Sequence, residues 1–488
     1  MFKLPKTATA PFCPSEVSGT VTVPANAPFW KKVLRYAGPG LLVSVGYMDP
    51  GNWATAIQGG SQFGYDLLFV VVLSSLAAIV LQCLSARLGI VTGKDLAVHC
   101  REQYHPAAAK GLWGFAELSI IACDLAEVLG CALAFHLLLG VSLPVGVALT
   151  ALDTLIILGL KGKGFRQLEA IVLGLIATIG ICLCAELVLV KPDLHAVMAG
   201  IVPSIDKLAG RDALYLAIGI LGATVMPHNL YLHSSVVQTR VARGGAAAAQ
   251  PARLEEAIGM SRIDTIVSLG LALFINGAIL VLAAAAFYKP GGGNVMEIDQ
   301  AYHLLAPVAG TGLAAFLFGL ALLASGQSST FTGTIAGQVI MEGFLKLKIP
   351  CWQRRLITRG LALVPAMIGV LTLGDHAIGT MLVASQVVLS LQLPFAMYPL
   401  IRLTGRRDLM GQFANTWWTA ALSWFLFVVI SCANVWLVGQ AFGASRTTVA
   451  PRSSSQARGL LYSTCCTPSV ISTATRLPCK DWAETCSM

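Results

Sequence analysis

Long apolar stretches recur along the whole chain and indicate its structural class. About eleven of them are long enough, at about 20 residues, to cross the hydrocarbon core of a bilayer as α-helices. The predicted spans are residues 34–57, 66–91, 111–139, 144–160, 165–190, 212–238, 263–287, 300–326, 356–373, 377–401 and 413–440. This pattern predicts an all-α integral membrane protein whose transmembrane domain comprises residues 33–440.

The two flanks differ from this core. Residues 1–32 are rich in Pro, Thr and Ala and lack the apolar run of a cleavable signal peptide, so we expect the first span to act as the insertion signal. They are interpreted as a cytoplasmic N-terminal segment. Residues 441–488 are rich in Ser, Thr, Arg and Pro without apolar periodicity, and we predict a disordered tail.

Composition narrows the class further. Hydrophobic residues make up 56% of the 488 residues, charged residues only 12%, and the mean hydropathy is +0.74. A soluble domain is about one quarter charged, so a soluble enzyme of ordinary composition is excluded. The 13 cysteines show no spacing typical of a zinc finger or a redox motif.

The net charge of +9 reflects topology rather than nucleic-acid binding. Most lysines and arginines fall in the N-terminal segment and in alternate loops. The opposite loops carry Lys191, Lys207, Arg211 and Lys289. Basic loops remain on the cytoplasmic side, so the N-terminus is predicted to be cytoplasmic. The short loops favour a bacterial inner membrane.

Two predicted spans contain a proline beside polar residues at mid-span. The first includes GYMDPGNWATAIQGG and the sixth includes GATVMPHNLYLHSS. Proline removes a backbone donor and interrupts a helix, and in lipid such a break persists only where it lines a cavity or binds something. Breaks in spans one and six indicate two inverted five-helix repeats with a substrate site at the membrane midplane.

The break residues are typical metal ligands. Asp49 offers a carboxylate and Asn52 an amide oxygen, whereas Met226 offers a thioether that suits Mn²⁺, Fe²⁺, Co²⁺ or Cd²⁺ better than Mg²⁺ or Ca²⁺. The alternative is structural: Asp49 caps a half-helix, Asn52 satisfies the break and Met226 packs. Because a carboxylate inside a membrane is costly, we favour a metal site.

Three carboxylates in the third span, Glu117, Asp124 and Glu127, share one helical stripe. They could form a solvated vestibule, or ion pairs with Arg354, Arg355 or Arg359. They could also relay protons away from Asp49.

Several motifs resemble the Nramp family of proton-coupled importers of divalent transition metals. They are Asp49-Pro50-Gly51-Asn52, Met226-Pro227-His228, DLAEV at 124–128, GQSSTFTGTIAGQVIMEGF at 326–344 and SQVVLSLQLPFA at 385–396. The resemblance covers about residues 33–440. It implies about 11 transmembrane helices in a LeuT-like 5+5 inverted repeat with broken helices 1 and 6.

The resemblance also implies residue roles. The carbonyl of Ala223 would complete the protein ligands, and Asp49 would pass protons to Asp124 and Glu127. His228 and His233 would take part in proton transfer rather than bind the metal ion directly. Glu117 is a further residue of the proposed proton pathway. Arg354 and Arg355 are positive-inside anchors that we also assign to the proton pathway. Gln386 is a candidate ligand in an occluded state, with Gln392 as its competitor and inter-helix hydrogen bonding as the alternative for both.

The predicted function is therefore proton-coupled import of Mn²⁺ by alternating access, with Fe²⁺, Cd²⁺ and Co²⁺ as further substrates. We expect a monomer in the lipid bilayer that needs no resident cofactor and binds no nucleic acid. The alternatives are an Nramp-related magnesium transporter and an organic-solute symporter of the same fold. A membrane enzyme is disfavoured because the sequence has neither a HExxH nor a GxSxG motif.

Overall fold

The computed structural model describes residue 21 and residues 27–152, 165–208, 210–241, 251–289, 297–309, 312–347, 351–374 and 378–447. Throughout these ranges the regular secondary structure is helical. Eight of the described helices are long and apolar enough to cross a membrane. Shorter apolar helices occupy the positions of the predicted first, fourth and ninth spans, and the spans are numbered 1 to 11 in chain order.

The spans consist of Pro39–Gly46 (half-helix 1a), Pro50–Phe63 (half-helix 1b), Leu68–Thr92 (span 2), Pro106–Leu139 (span 3), Leu143–Leu149 (the start of span 4), Phe165–Val190 (span 5), Arg211–Thr224 (half-helix 6a), Pro227–Val236 (half-helix 6b), Pro251–Phe287 (span 7), Gly312–Leu345 (span 8), Cys351–Leu373 (span 9), Ile378–Gly405 (span 10) and Trp417–Thr447 (span 11). The connecting α-helices are Phe29–Tyr36, Leu96–Gln103, Leu194–Ile201, Ile298–Ala309 and Arg407–Met410, and the 3₁₀ turns are Thr150–Leu152, Asp206–Leu208, Val237–Arg240 and Gly411–Phe413.

Span 8 differs most from its predicted position at 300–326. The chain forms a separate helix up to Ala309, and span 8 then runs from Gly312 to Leu345 through the polar GQSSTFTGT segment. Its hydroxyls donate to backbone oxygens one turn back, as Thr332 does to Ser329 at 2.9 Å, so these polar groups are satisfied without water. It is buried in protein, so hydropathy alone misplaced the span.

Span 1 is also displaced from its predicted bounds of 34–57. The helix Phe29–Tyr36 ends before Gly38, and half-helix 1a starts at Pro39. Gly38 has a φ of 139°, a backbone conformation that favours glycine. Span 1 therefore begins later than predicted and reaches Phe63.

The broken spans lie at the centre of the packing. Half-helices 1b and 6a pack against each other and against span 10, while 6b packs against spans 2, 8 and 10. The most apolar window of span 6 is 83% buried and that of span 5 only 33%. Gly222 permits the close approach of 6a to span 10, since a Cβ there would lie 2.7 Å from the Ser390 Cβ.

The chain divides into two compact units, Met1–Val435 and Trp436–Met488. The first contains the spans up to most of span 11. Of the second, the structure describes the end of span 11 as far as Thr447. The predicted disordered tail comprises residues 441–488, but span 11 continues as a helix through residues 441–447, and only the remainder lies outside the described residues. Most of the predicted N-terminal segment 1–32 also lies outside them, so these domain boundaries stay predictions.

Candidate metal centre

The first break is built by the DPGN sequence itself. Half-helix 1b starts at Pro50, where a residue without an N–H is well tolerated because the first turn has no acceptor for it. The carboxylate of Asp49 caps this half-helix by accepting a hydrogen bond from the Asn52 N–H at 2.9 Å. Asp49 is fully buried. The sequence thus places a carboxylate at the break.

The second break also precedes a half-helix that starts with proline. Half-helix 6a ends at Thr224, and 6b starts at Pro227 after Val225 and Met226. The two breaks are adjacent, because the Asn52 Nδ2 donates to the carbonyl oxygen of Ala223 at 2.9 Å. Asp49, Asn52 and Ala223, which the sequence analysis assigned to one site, therefore come together.

Oxygen atoms converge on the Asn52 amide group. Its Nδ2 also donates to the Asp49 Oδ1 at 2.6 Å, so one NH₂ group bridges the carboxylate and the Ala223 carbonyl. Among the described residues, the second carboxylate oxygen, Asp49 Oδ2, has no hydrogen-bond partner. A cation bound to Asp49 and Ala223 would take the place of this NH₂, and rotation of the amide would present Asn52 Oδ1 instead.

Met226 is fully buried, and its side chain packs with Ala122 of span 3 and Leu389 of span 10. The sulfur is thus held in an apolar cluster beside the second break. This position is compatible with both interpretations of Met226, a thioether ligand or a packing residue, so its ligand role stays a prediction.

Gln386, rather than Gln392, lies at the DPGN turn. Its amide fills the space that a Cβ at Gly51 would occupy. Gln386 Nε2 donates to Ser385 Oγ at 3.0 Å, while its Oε1 has no partner among the described residues. Gln392 lies about two helical turns further along span 10. The structure therefore selects Gln386 for the site, although coordination by it stays a prediction.

Within the described part of the chain, no group of three or more His, Cys, Asp or Glu side chains is arranged to hold a metal ion. The predicted centre agrees with this finding, because it combines one carboxylate with amide, carbonyl and thioether groups. A transported ion must bind weakly enough to leave its site again.

Asp124 and Glu127 of span 3 face span 8 together. A Cβ at Gly333 would lie 2.8 Å from the Glu127 Oε1 and 3.6 Å from the Asp124 Oδ1. Glu127 accepts hydrogen bonds at 3.1 Å from both Ser329 and Thr330. Both carboxylates are buried, so the two predicted relay residues share one polar environment.

Among the described side chains, Arg359 of span 9 forms an ion pair with Glu127. Its Nη1 lies 3.5 Å from the Glu127 Oε2, and both side chains are almost completely buried. Arg354 and Arg355 lie earlier in span 9, and their side chains fall outside the described residues. Of the three arginines that the sequence offered as partners, Arg359 is the one whose side chain the structure describes, and it pairs with Glu127.

Glu117 lies apart from this pair. It is about two helical turns before Asp124 on span 3, and its side chain is half-buried. It has interaction partners of its own. Its proton-pathway role stays a prediction.

The two histidines of half-helix 6b make different contacts. His228 Nε2 lies 3.8 Å from the thiol of Cys123, which is itself 3.6 Å from the Glu127 Oε1. His233 Nδ1 lies 3.0 Å from the Gln82 Oε1, and Gln82 donates to the Tyr47 hydroxyl at 2.7 Å. His228 therefore connects with the span 3 carboxylates, and His233 with the first break.

Two neighbours were missed by sequence reasoning. Asn276 of span 7 donates to the Asn52 Oδ1 at 3.5 Å, and Cys123 separates His228 from Glu127. A polar asparagine inside an apolar span was the available signal for the first. A thiol in an apolar run carries no such signal, because it behaves as a small hydrophobe.

A second group of buried charges lies at the end of the bundle where the basic loops occur. This basic-end cluster consists of Glu169, Arg240 and Asp264. Arg240 contacts the Glu169 Oε1 at 2.5 Å and the Ala37 carbonyl at 3.0 Å. Asp264 accepts from the Gly40 N–H at 2.7 Å. The cluster thereby ties the start of half-helix 1a to spans 5, 6 and 7.

Comparison with known proteins gives consistent matches. The family model described as "Natural resistance-associated macrophage protein-like", or Nramp, matches residues 40–440. The divalent metal cation transporter MntH of Ralstonia nicotianae is 69% identical over 437 residues, which cover 90% of this chain and 98% of that protein. MntH 1 of Pseudomonas aeruginosa is 66% identical over 442 residues, covering 91% of this chain and 100% of that protein.

Solved structures of transporters also match this chain. A crystal structure of a mutant Eremococcus coleocola manganese transporter matches with a TM-score of 0.82 and 37% identity, covering 91% of this chain and 94% of that chain. The transporter Mhp1 matches with a TM-score of 0.57 and 15% identity, covering 94% of this chain and 99% of that one, and supports the fold alone. The predicted all-α, LeuT-like fold is confirmed. Because the family model and close relatives span nearly the whole transmembrane region, the chain belongs to the Nramp family, whose members are transporters and not enzymes.

Proposed function

We propose that this chain imports divalent transition metal ions together with protons by alternating access. Mn²⁺ and Fe²⁺ are the principal substrates, and Cd²⁺ and Co²⁺ are further ones. One observation carries the proposal: the buried Asp49 carboxylate and the Ala223 carbonyl converge on a single donor group, the Asn52 amide. This arrangement offers a cation two oxygens in place of one NH₂ group.

The charge at the break supports a cation rather than an anion. Asp49 is fully buried, and none of the described ion pairs involves it. A buried carboxylate without a positive partner is costly and is stabilised by a proton or a metal ion. Asp49 can therefore exchange one for the other, which couples metal binding to proton release.

The proton leaves through the span 3 carboxylates in our proposal. The supporting contacts run from His228 to Cys123 and from Cys123 to Glu127, with Asp124 beside Glu127 against Gly333. Arg359 keeps a positive charge next to Glu127. Glu117 continues the path toward the basic end. Arg354 and Arg355 are proposed as its final basic partners.

Alternating access needs elements that can move against the rest of the bundle. Half-helix 1a is attached at its start through backbone groups, by the hydrogen bonds from Gly40 to Asp264 and from Arg240 to Ala37. Breaking these contacts would release 1a from spans 5, 6 and 7. We propose that such release opens the metal site on the basic side.

The proposed orientation in the membrane rests on the distribution of basic residues among the loops. We place the chain in a bacterial inner membrane as a monomer, with the N-terminus and the basic loops in the cytoplasm. Metal ions and protons are its partners beside lipid, and it needs no resident cofactor. Import then means movement toward the basic end.

Two alternatives predict other substrates. A magnesium transporter would gain little from the Met226 thioether, which is a soft ligand. An organic-solute symporter that binds a substrate carboxylate at the half-helix N-termini would be opposed by the charge of Asp49.

Uptake of radiolabelled Mn²⁺ into proteoliposomes, with a pH dye inside, tests the proposal. We expect Mn²⁺ uptake that acidifies the lumen, competition by Fe²⁺ and Cd²⁺, and negligible competition by Mg²⁺ or by amino acids. Strong competition by Mg²⁺ would favour the magnesium transporter. Uptake of a labelled amino acid without Mn²⁺ uptake would favour the organic-solute symporter.

A further inference from the structure

A cavity of about 540 Å³ lies between spans 2, 7 and 11 at the basic end of the bundle. The residues that matter for its chemistry are Ile79, Arg87, Ser261, Arg262, Ile266 and Trp418. None of them belongs to the metal centre, to the proposed proton path or to the basic-end cluster. The cavity therefore has no role in the proposed function and needs its own explanation.

Its polar groups are suited to an anion. Arg87 donates one hydrogen bond to Asn415, yet its Nε is buried and without a partner among the described residues. Ser261 is only 5% exposed, and its hydroxyl also has no hydrogen-bond partner among the described residues. Neither Arg87 nor Arg262 forms an ion pair with a described carboxylate. Two arginines and a buried hydroxyl thus surround one space, and no described carboxylate pairs with either arginine.

The remaining walls are apolar and continue onto the outer surface of the bundle. Ile266 is 44% exposed and Leu422 is 45% exposed, and both line the cavity. Trp418, at the start of span 11, is 69% exposed. Exposed aliphatic residues on a membrane span face lipid tails, and tryptophan prefers the level of the headgroups. The cavity therefore opens where a lipid headgroup meets its acyl chains.

We propose that this cavity binds an anionic phospholipid. The phosphate lies between Arg87 and Arg262 and accepts a hydrogen bond from the Ser261 hydroxyl, and an acyl chain follows Ile266 and Leu422. Basic pockets between transmembrane helices on the cytoplasmic side are typical sites for such headgroups. The lipid would join spans 2, 7 and 11 at the basic end.

Native mass spectrometry of the full chain in detergent tests the site, with added dioleoyl-phosphatidylglycerol or dioleoyl-phosphatidylcholine as the probe. The two lipids share acyl chains and differ in net charge. We expect the parent to retain one phosphatidylglycerol more strongly than phosphatidylcholine. Equal retention of the two lipids would overturn the proposal, and so would displacement of phosphatidylglycerol by millimolar inorganic phosphate.

Matched variants locate the bound lipid. Arg262→Gln removes an exposed arginine of the cavity and should weaken phosphatidylglycerol binding about fivefold, since one basic group near an anionic lipid contributes about 1 kcal/mol. Arg407→Gln removes an exposed arginine outside the cavity and should leave binding unchanged. Ser261→Ala should weaken binding to a smaller extent. If Arg262→Gln and Arg407→Gln bind the lipid equally well, the cavity is not the site.

Discussion

Two buried groups of charged and polar side chains differ in how they balance a carboxylate. In the basic-end cluster, the Glu169 carboxylate contacts Arg240 at 2.5 Å. In the candidate metal centre, the Asp49 carboxylate accepts hydrogen bonds from the backbone and side-chain amides of Asn52, which are neutral, and none of the described ion pairs involves it. The first carboxylate already has its cation within the protein. The second carboxylate, that of Asp49, is free to bind a cation from outside the protein in our proposal.

This difference separates a carboxylate that holds helices together from one that, in our proposal, binds the transported ion. A buried ion pair is satisfied internally, and removal of one partner leaves an uncompensated charge that destabilises the fold. A buried carboxylate without such a partner keeps its binding capacity for an external ion. Substitutions in the two groups should therefore change different measured quantities.

The largest effect should come from Asp49→Ala, which removes the only carboxylate that the described residues place at the break. We expect Mn²⁺ uptake to fall to the level of empty liposomes, because no charge remains to offset desolvation of the dication. The protein should still insert and purify. Asp408→Ala removes an exposed carboxylate and serves as the control. Near-normal uptake by Asp49→Ala would exclude the proposed site.

Arg240→Gln tests whether the buried ion pair of the basic-end cluster stabilises the fold. It leaves Glu169 buried without its partner, so the free energy of unfolding should fall by about 3 kcal/mol. Thermal unfolding in detergent measures this change. The double substitution Arg240→Gln with Glu169→Gln should recover most of the loss, since no charge is then unpaired. A single variant as stable as the parent would show that the pair is not structural.

Asp124→Asn addresses the link between the metal centre and the proton path. We expect Mn²⁺ binding to change by less than about threefold, whereas acidification of the liposome lumen per Mn²⁺ imported should fall strongly. Asparagine keeps the size of the side chain and removes its titratable group. The measurement pairs Mn²⁺ uptake with the internal pH dye. Unchanged acidification would rule out Asp124 as a relay residue.

Met226→Ala should have the smallest effect and the most informative one. A thioether contributes more to soft metals than to hard ones, so Cd²⁺ affinity should fall about tenfold, which corresponds to roughly 1.4 kcal/mol. Mn²⁺ affinity should fall less, and competition by Ca²⁺ or Mg²⁺ should become visible. Competition curves at one pH and one membrane potential measure these changes. If the order of metals is the same in parent and variant, Met226 is a packing residue.

Much of the fold could be predicted because its causes are local. Apolar runs of bilayer length define most spans, and Pro50 and Pro227 mark the two breaks within a few residues. The largest exception is span 8, where a hydropathy pattern cannot distinguish polar residues buried against Glu127 from the end of a span. Such burial depends on a neighbour about 200 positions away in the chain.

By itself the sequence determined the membrane class, the positions of the breaks and the chemistry of Asp49, Asn52 and Met226. Only the tertiary structure decided between Gln386 and Gln392, since both lie on span 10 and only the packing against Gly51 separates them. It likewise showed that Arg359 pairs with Glu127. The physical reason is that hydropathy and helix breaking act between near neighbours in the chain. The pairing of buried polar groups is set by which helix faces meet, and no short pattern records it.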